Sequence, residues 1–218
     1  MDDFSASGLL YLVATAFFIL GIKRLSKVKT ARSGNQLSAI GMLIAVVVTL
    51  VSPEGGVNLD MKTILIGIAI GGGVGAIMAK RVEMTGMPEL VALLNGFGGL
   101  ASTMVAFTDF YGLDGDGSKT ALGAGVWSIA IILSIFIGTV TFTGSLMAMG
   151  KLSGKISGNP VVLPARHLVT ALLIVGGLGC AGYGLFTDSL DATTAIYILL
   201  ACSATFGVVS VLPIGGAD

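Results

Sequence analysis

Charged residues are scarce in this sequence, at 11% of its 218 residues, whereas soluble domains carry about 25%. This scarcity excludes an ordinary soluble enzyme, and it excludes a nucleic-acid-binding protein with a basic face. A disordered chain is excluded as well, because 54% of the residues are hydrophobic. The composition that remains is typical of a polytopic membrane protein.

Cysteine, histidine and proline are also few. With two cysteines and one histidine, the chain by itself cannot build a metal site of the zinc-finger type. Cys180 and Cys202 lie in apolar stretches, which favours small packing residues over a disulfide. Five prolines beside 33 glycines without a Gly-X-Y period exclude collagen. This much glycine is typical of closely packed helices in lipid.

The sequence contains several long apolar stretches. A helix needs about 20 apolar residues to cross the bilayer core, which is about 30 Å thick. None of the stretches alternates apolar and polar residues as the strands of a membrane barrel do. The sequence therefore predicts one all-α domain over residues 1–218, a polytopic transmembrane helical bundle. We expect seven spans, at 8–22, 36–52, 61–79, 88–107, 121–150, 168–186 and 192–213.

The charged residues that do occur are separated by side. Ten of the 12 basic residues follow spans one, three and five, and only Lys62 and Lys119 fall on the other side. Most acidic residues show the reverse distribution. By the positive-inside rule, the N-terminus lies outside and the C-terminus lies in the cytoplasm. This orientation requires an odd number of spans.

Glycines recur at every fourth position in span three. Gly67, Gly71 and Gly75 share one helical face and leave it flat, which favours close packing of a neighbouring helix. A phosphate-binding loop is disfavoured because no strand precedes these glycines.

Polar residues interrupt span four on one face. Asn95, Gly98, Gly99 and Ser102 share that face, and Asn95 lies about 12 Å into the span, near mid-membrane. Asn95 could make an interhelical hydrogen bond, which is worth about 0.6–2 kcal/mol in a membrane. It could equally line a hydrated path.

Span five carries four hydroxyl side chains within seven residues. Thr139 and Thr143 share one face, and Thr141 and Ser145 share another. Each hydroxyl could bond the carbonyl four residues earlier in its own helix. As a set, they also fit a polar path through the membrane.

Several charged or polar residues lie at the predicted cytoplasmic side. Glu89 follows Pro88 in the first turn of span four, where it would stabilise the helix dipole or serve in docking or conduction. The segment 151–167, rich in glycine and proline, is either a linker or a docking surface. Arg166 and His167 lie at the foot of span six.

Five segments strongly resemble the β subunit of proton-translocating nicotinamide nucleotide transhydrogenase, with consistent spacing over the whole chain. They are 80–92 (KRVEMTGMPELVA), 139–145 (TVTFTGS), 150–157 (GKLSGKIS), 163–167 (LPARH) and 214–218 (IGGAD).

The resemblance implies an enzyme that transfers hydride from NADH to NADP⁺ while a proton moves inward across the cell inner membrane. This chain would be the conducting part, with no catalytic residue, no metal and no bound cofactor. Other domains would bind NADP(H) and NAD(H). In the family, roughly two further spans and an NADP(H)-binding domain follow the Gly-Gly-Ala-Asp segment. The implied partners are membrane helices of the α side and the soluble domains, in a dimer of the complex, with no nucleic acid.

The resemblance also assigns residues. The proton path would include Asn95, Ser102, Thr141 and Ser145. Asn95 stands where many relatives have a histidine, and since asparagine does not titrate, we expect the titrating histidine on a partner helix of the α side. The cytoplasmic mouth or docking surface would be formed by Glu83, Glu89, Arg166, His167 and Asp218.

Two other functions are compatible with the sequence. The chain could be a stand-alone secondary transporter whose polar path binds a solute, although its halves show no convincing internal repeat. It could also be a non-catalytic assembly subunit that uses its glycine faces only for packing.

Overall fold

The computed structural model describes residues 6–51, 61–111, 124–187 and 190–215. Within these ranges it contains no strand, and its long elements are seven α-helices. They are α1 (Ala6–Leu25), α2 (Ala31–Val51), α3 (Met61–Arg81), α4 (Met87–Tyr111), α5 (Ala124–Leu152), α6 (Arg166–Phe186) and α7 (Ala192–Val211). Each helix, with the short 3₁₀ turn before α2 or α4 where one is present, is long and apolar enough to cross a membrane. The predicted all-α fold with seven spans is confirmed.

The helix ends extend past the predicted spans in several places. The largest difference is at α2, which begins at Ala31 rather than at residue 36. Hydropathy detects only the lipid-soluble part of a helix, whereas the backbone hydrogen bonds continue through the polar residues that precede it. At the other end of the chain, the Asp191 carboxylate accepts a hydrogen bond from the Thr194 backbone N–H and caps α7. The predicted membrane orientation stays a prediction.

The chain divides into two compact units, Met1–Gly72 and Gly73–Asp218. In the first unit, α1 packs against α2 through small residues. A Cβ atom added at Gly34 would lie 2.7 Å from the Gly21 carbonyl oxygen, so the two backbones touch there. The hydroxyls of Tyr11 and Thr49 join the same two helices at 2.9 Å.

In the second unit, α5 packs against α4 and α7, and α6 packs against α7. Ile135, Ile196 and Leu199 are fully buried at its centre. Tyr111 donates a hydrogen bond of 2.9 Å to Tyr197, so the end of α4 lies beside the start of α7. Consecutive helices α4 to α7 therefore run in alternating directions, as short connections between spans require.

Two glycine contacts bring α5 close to its neighbours. A Cβ atom at Gly99 would lie 2.6 Å from the Gly138 carbonyl oxygen, and one at Gly207 would lie 2.7 Å from the Val140 carbonyl oxygen. Both distances are too short for any larger residue without movement of the backbone. These contacts fix how α4 and α7 sit on α5.

The glycines of α3 behave differently. A Cβ atom at Gly67, Gly71 or Gly75 would meet nothing within 4 Å in the described part of the chain. None of the residues of α3 is buried. The predicted packing role of these glycines stays a prediction.

Candidate functional site

Asn95 and Ser145, fifty residues apart in sequence, meet across the interface of α4 and α5. The Asn95 side-chain amide donates a hydrogen bond of 2.9 Å to the Ser145 hydroxyl. Small residues permit this approach, because a Cβ atom at Gly96 would lie only 3.1 Å from the Cβ of Ser145. In the described part of the chain this is the one side-chain hydrogen bond of Asn95, so the second N–H and the carbonyl oxygen of the amide stay available to other partners. The pair can therefore bind water or a polar group as well as join two helices.

The pair borders a groove between α4 and α5 that we call the Asn95 groove. Its volume is about 560 Å³, and Asn95, Ser102 and Thr141 line it together with Gly98, Gly99 and Gly138. Asn95 and Ser102 are exposed in this chain. Three of the four residues predicted for the proton path thus line one surface, and the fourth, Ser145, is bonded to its edge.

Ser134 also lines the Asn95 groove, and the sequence reasoning missed it. It stands seven residues before Thr141 on α5, so it lies on the same helical face two turns away. That spacing is the signal that could have identified it. Ser102 donates to the Gly98 carbonyl at 3.2 Å, a bond within its own helix.

The four hydroxyl residues between positions 139 and 145 of α5 divide between two faces, as their spacing predicts. Thr141 faces the groove, and Ser145 bonds to Asn95. Thr139 is buried, and its hydroxyl lies 3.4 Å from that of Thr103 on α4. Thr143 donates to the Thr139 carbonyl at 3.0 Å. Bonding within α5 accounts for Thr143, a contact with α4 accounts for Thr139, and the groove includes Thr141.

Lys151 makes contacts with the end of α7 that the sequence reasoning did not predict. It is only 6% exposed, at the end of α5. Its ammonium donates to the carbonyl oxygens of Leu212 at 2.7 Å and of Ile214 at 2.6 Å, with Val211 at 3.4 Å. A cation at a helix C-terminus satisfies carbonyls that have no partner within the helix and is favoured by the helix dipole. Lys151 therefore ties the end of α5 to the end of α7.

The residues predicted for the cytoplasmic mouth lie in separate places. Glu89 is half-buried and lines a smaller groove of about 290 Å³ with Arg81. Glu83 is exposed before the 3₁₀ turn that leads into α4. Arg166 donates to the neighbouring His167 ring at 3.3 Å, and both side chains are exposed.

The structure does not join these predicted mouth residues into one cluster. Among the described residues, no hydrogen bond or ion pair links Glu83 or Glu89 with the two residues at the start of α6. Asp218 lies outside the described residues.

Comparisons of this chain with a family model and with curated proteins point to the same family. The family model described as "NAD(P) transhydrogenase beta subunit" matches residues 7–218. Two curated relatives from Rhodospirillum rubrum, both named "NAD(P) transhydrogenase subunit beta", are 36% identical over 213 residues. The match covers 95% of this chain and 44% of each relative, so the chain spans less than half the length of those proteins.

Proposed function

Because this chain belongs to the NAD(P) transhydrogenase beta subunit family, we propose that it is the proton-conducting membrane part of a proton-translocating NAD(P) transhydrogenase. The complex would transfer hydride from NADH to NADP⁺ and couple this reaction to inward proton movement. The observation that carries the proposal is the Asn95–Ser145 hydrogen bond at the edge of a polar-lined groove between two membrane-length helices.

The groove supplies the chemistry that conduction needs. Polar side chains inside a membrane are costly, and they are kept where they face a water path or a partner. Asn95, Ser102 and Thr141 provide both donors and acceptors, which can order water along the groove. None of these three side chains titrates near neutral pH, so they carry protons through water and not by binding them.

A titrating group would then come from outside this chain. Asn95 and Ser102 are exposed, which supports a partner helix of the α side that covers the groove and contributes a histidine. Such a helix would also exclude lipid from the path. Inward proton movement supplies about 2.3 kcal/mol per charge per 100 mV, which can drive NADPH formation.

The nucleotides would bind elsewhere in the complex. We propose that soluble domains bind NADP(H) and NAD(H), and that this chain binds neither. Glu83, Glu89, Arg166 and His167 would contact those domains or the path's exit on the cytoplasmic side, and Asp218 would lie at its mouth. The complex would be a dimer in the cell inner membrane, with the N-terminus of this chain outside.

The two other functions considered are not favoured. Membership in the transhydrogenase family gives no support to a stand-alone solute transporter. An assembly subunit without a conducting role would have no need of a polar groove at the centre of its helices.

The proposal can be tested with the complex in proteoliposomes. An imposed proton gradient, with the side opposite the nucleotides acidic, should accelerate reduction of an NADP⁺ analogue by NADH. In Asn95→Leu this acceleration should be at least ten-fold smaller than in wild type. Met104 is an exposed residue of α4 outside the groove, and Met104→Leu should keep the wild-type acceleration. If the intact wild-type complex shows no acceleration, the proposed function is wrong.

A further inference from the structure

The Asn95 groove continues towards the end of α4 at Tyr111. A second groove of about 390 Å³ lies between the same two helices and is lined by Val105, Asp109 and Trp127; we call it the Asp109 groove. Ser102 and Ser134 line both grooves. The two grooves therefore form one continuous depression along α4 and α5.

The polar residues of α4 are evenly spaced along this depression. Asn95, Ser102 and Asp109 are seven residues apart, so they lie on one face at intervals of about 10 Å along the helix axis. Three or four hydrogen-bonded waters, with oxygens about 2.8 Å apart, bridge such an interval. On α5, Ser134 adds a hydroxyl where the two grooves meet.

Asp109 is not placed where it stabilises its helix. It lies in the last turn of α4, where the negative end of the helix dipole disfavours an acidic side chain. It is exposed, and no basic side chain lines its groove within the described part of the chain. Among the described residues, the other titratable groups at this end include Tyr111 of α4 and Tyr197 of α7, which bond to each other, and Asp191, whose carboxylate caps α7. Within the described ranges, neither helix stability nor an ion pair accounts for this carboxylate.

We propose that Asp109 is the proton-exchanging residue at the outer end of the path. The proposal rests on the proposed function and on the orientation given there. A carboxylate oxygen accepts a proton from a hydronium ion outside and leaves a water molecule. The resulting O–H donates its proton to the first water of the groove, and the carboxylate is restored. Ser102 and Ser134 hold the waters that carry the proton on to the Asn95–Ser145 pair.

The first test compares variants of the assembled complex in proteoliposomes. Asp109→Asn should reduce gradient-driven reduction of the NADP⁺ analogue at least ten-fold, and Asp109→Glu should restore at least half of the wild-type rate. The matched control is Asp191→Asn, which removes a carboxylate at the same end of the unit, outside the groove. Asparagine still caps a helix, so this control should stay within two-fold of wild type.

A second test leaves Asp109 in place and does not depend on the folding of its variants. Val105 lines the Asp109 groove and is 63% exposed, whereas its neighbour Met104 is 59% exposed and does not line it. In intact cells, a membrane-impermeant maleimide applied outside should label Val105→Cys. After labelling, vesicles from those cells should lose gradient-driven activity. Met104→Cys should keep its activity after the same treatment. Wild type should show the background labelling that comes from Cys180 and Cys202.

The outcomes separate this inference from the proposed function. If wild type couples and Asp109→Asn stays within two-fold of it, the assignment of Asp109 is wrong. If Asp109→Asn does not assemble, the labelling decides: an unlabelled Val105→Cys, or a labelled one with full activity, overturns the assignment. A wild-type complex without gradient-driven activity refutes the proposed function itself.

Discussion

Lys151 should be a main determinant of stability at the end of α7, and its contacts allow the effect of Lys151→Met to be estimated. The substitution removes two short hydrogen bonds, to the carbonyls of Leu212 and Ile214, and leaves a helix end without its cation. Bonds that involve a charged group contribute about 1.5–3 kcal/mol each. Part of the stability lost with these bonds is offset, because burying methionine does not carry the desolvation cost of burying an ammonium group.

The net loss should be about 3 kcal/mol. For a chain of this length, that corresponds to a fall in Tm of about 6–12 °C. The assay is thermal unfolding of the purified complex in detergent, together with limited proteolysis between α5 and α6. Lys155→Met is the matched control, because Lys155 is exposed four residues further along and should change Tm by less than 2 °C.

A conservative variant and a comparison with the control test the role of Lys151 further. Lys151→Arg should recover part of the lost stability, because the guanidinium keeps the charge and the donors but needs more space. The reasoning is refuted if Lys151→Met unfolds within 2 °C of Lys155→Met. In that case the carbonyls at the end of α7 find other partners at no cost.

Three other substitutions test packing and conduction separately. Gly138→Val should prevent correct packing of α4 on α5, because a Cβ atom there would lie 2.6 Å from the Gly99 carbonyl oxygen. The cost should exceed the roughly 1–3 kcal/mol typical of overpacking. The measurement is size-exclusion chromatography, on which the assembled complex should be lost. Gly71→Leu should leave the chain folded but reduce its recovery with partner subunits in affinity purification, because none of the residues that the structure describes covers that position; normal recovery would remove Gly71 from any interface. Ser145→Ala should cost only about 0.6 kcal/mol in stability yet lower coupled turnover at least ten-fold, and a loss of stability alone would mean that the Asn95–Ser145 bond only joins helices.

The helices could be predicted from the sequence because apolar length is a local property. A helix in lipid must satisfy its own backbone hydrogen bonds, so a sufficiently long apolar stretch has few alternatives. The face shared by Asn95 and Ser102 was predictable for the same reason, since residues seven apart always align on a helix. Contact between Asn95 and Ser145 was not predictable, because it depends on how closely Gly96 and Gly99 allow α5 to approach.

Lys151 shows where sequence reasoning fails. Counting charges placed it among the basic residues that follow span five, where a lysine is expected to be solvated, whereas the structure has it in the last turn of α5. Its burial arises because α7 ends beside it, which brings three carbonyl oxygens to its ammonium. No pattern within 218 residues states which helix end lies next to which side chain. Ser134 differs, because its spacing from Thr141 was visible and was not used.

The most direct test of the central claim follows proton movement and hydride transfer in one experiment. The intact complex is reconstituted in proteoliposomes, and reduction of the NADP⁺ analogue is recorded together with internal pH. The two signals should change together in wild type, and Asn95→Leu should reduce both at least ten-fold, with assembly unchanged. Hydride transfer without any pH change in the folded wild-type complex, or full coupling in Asn95→Leu, would contradict the central claim.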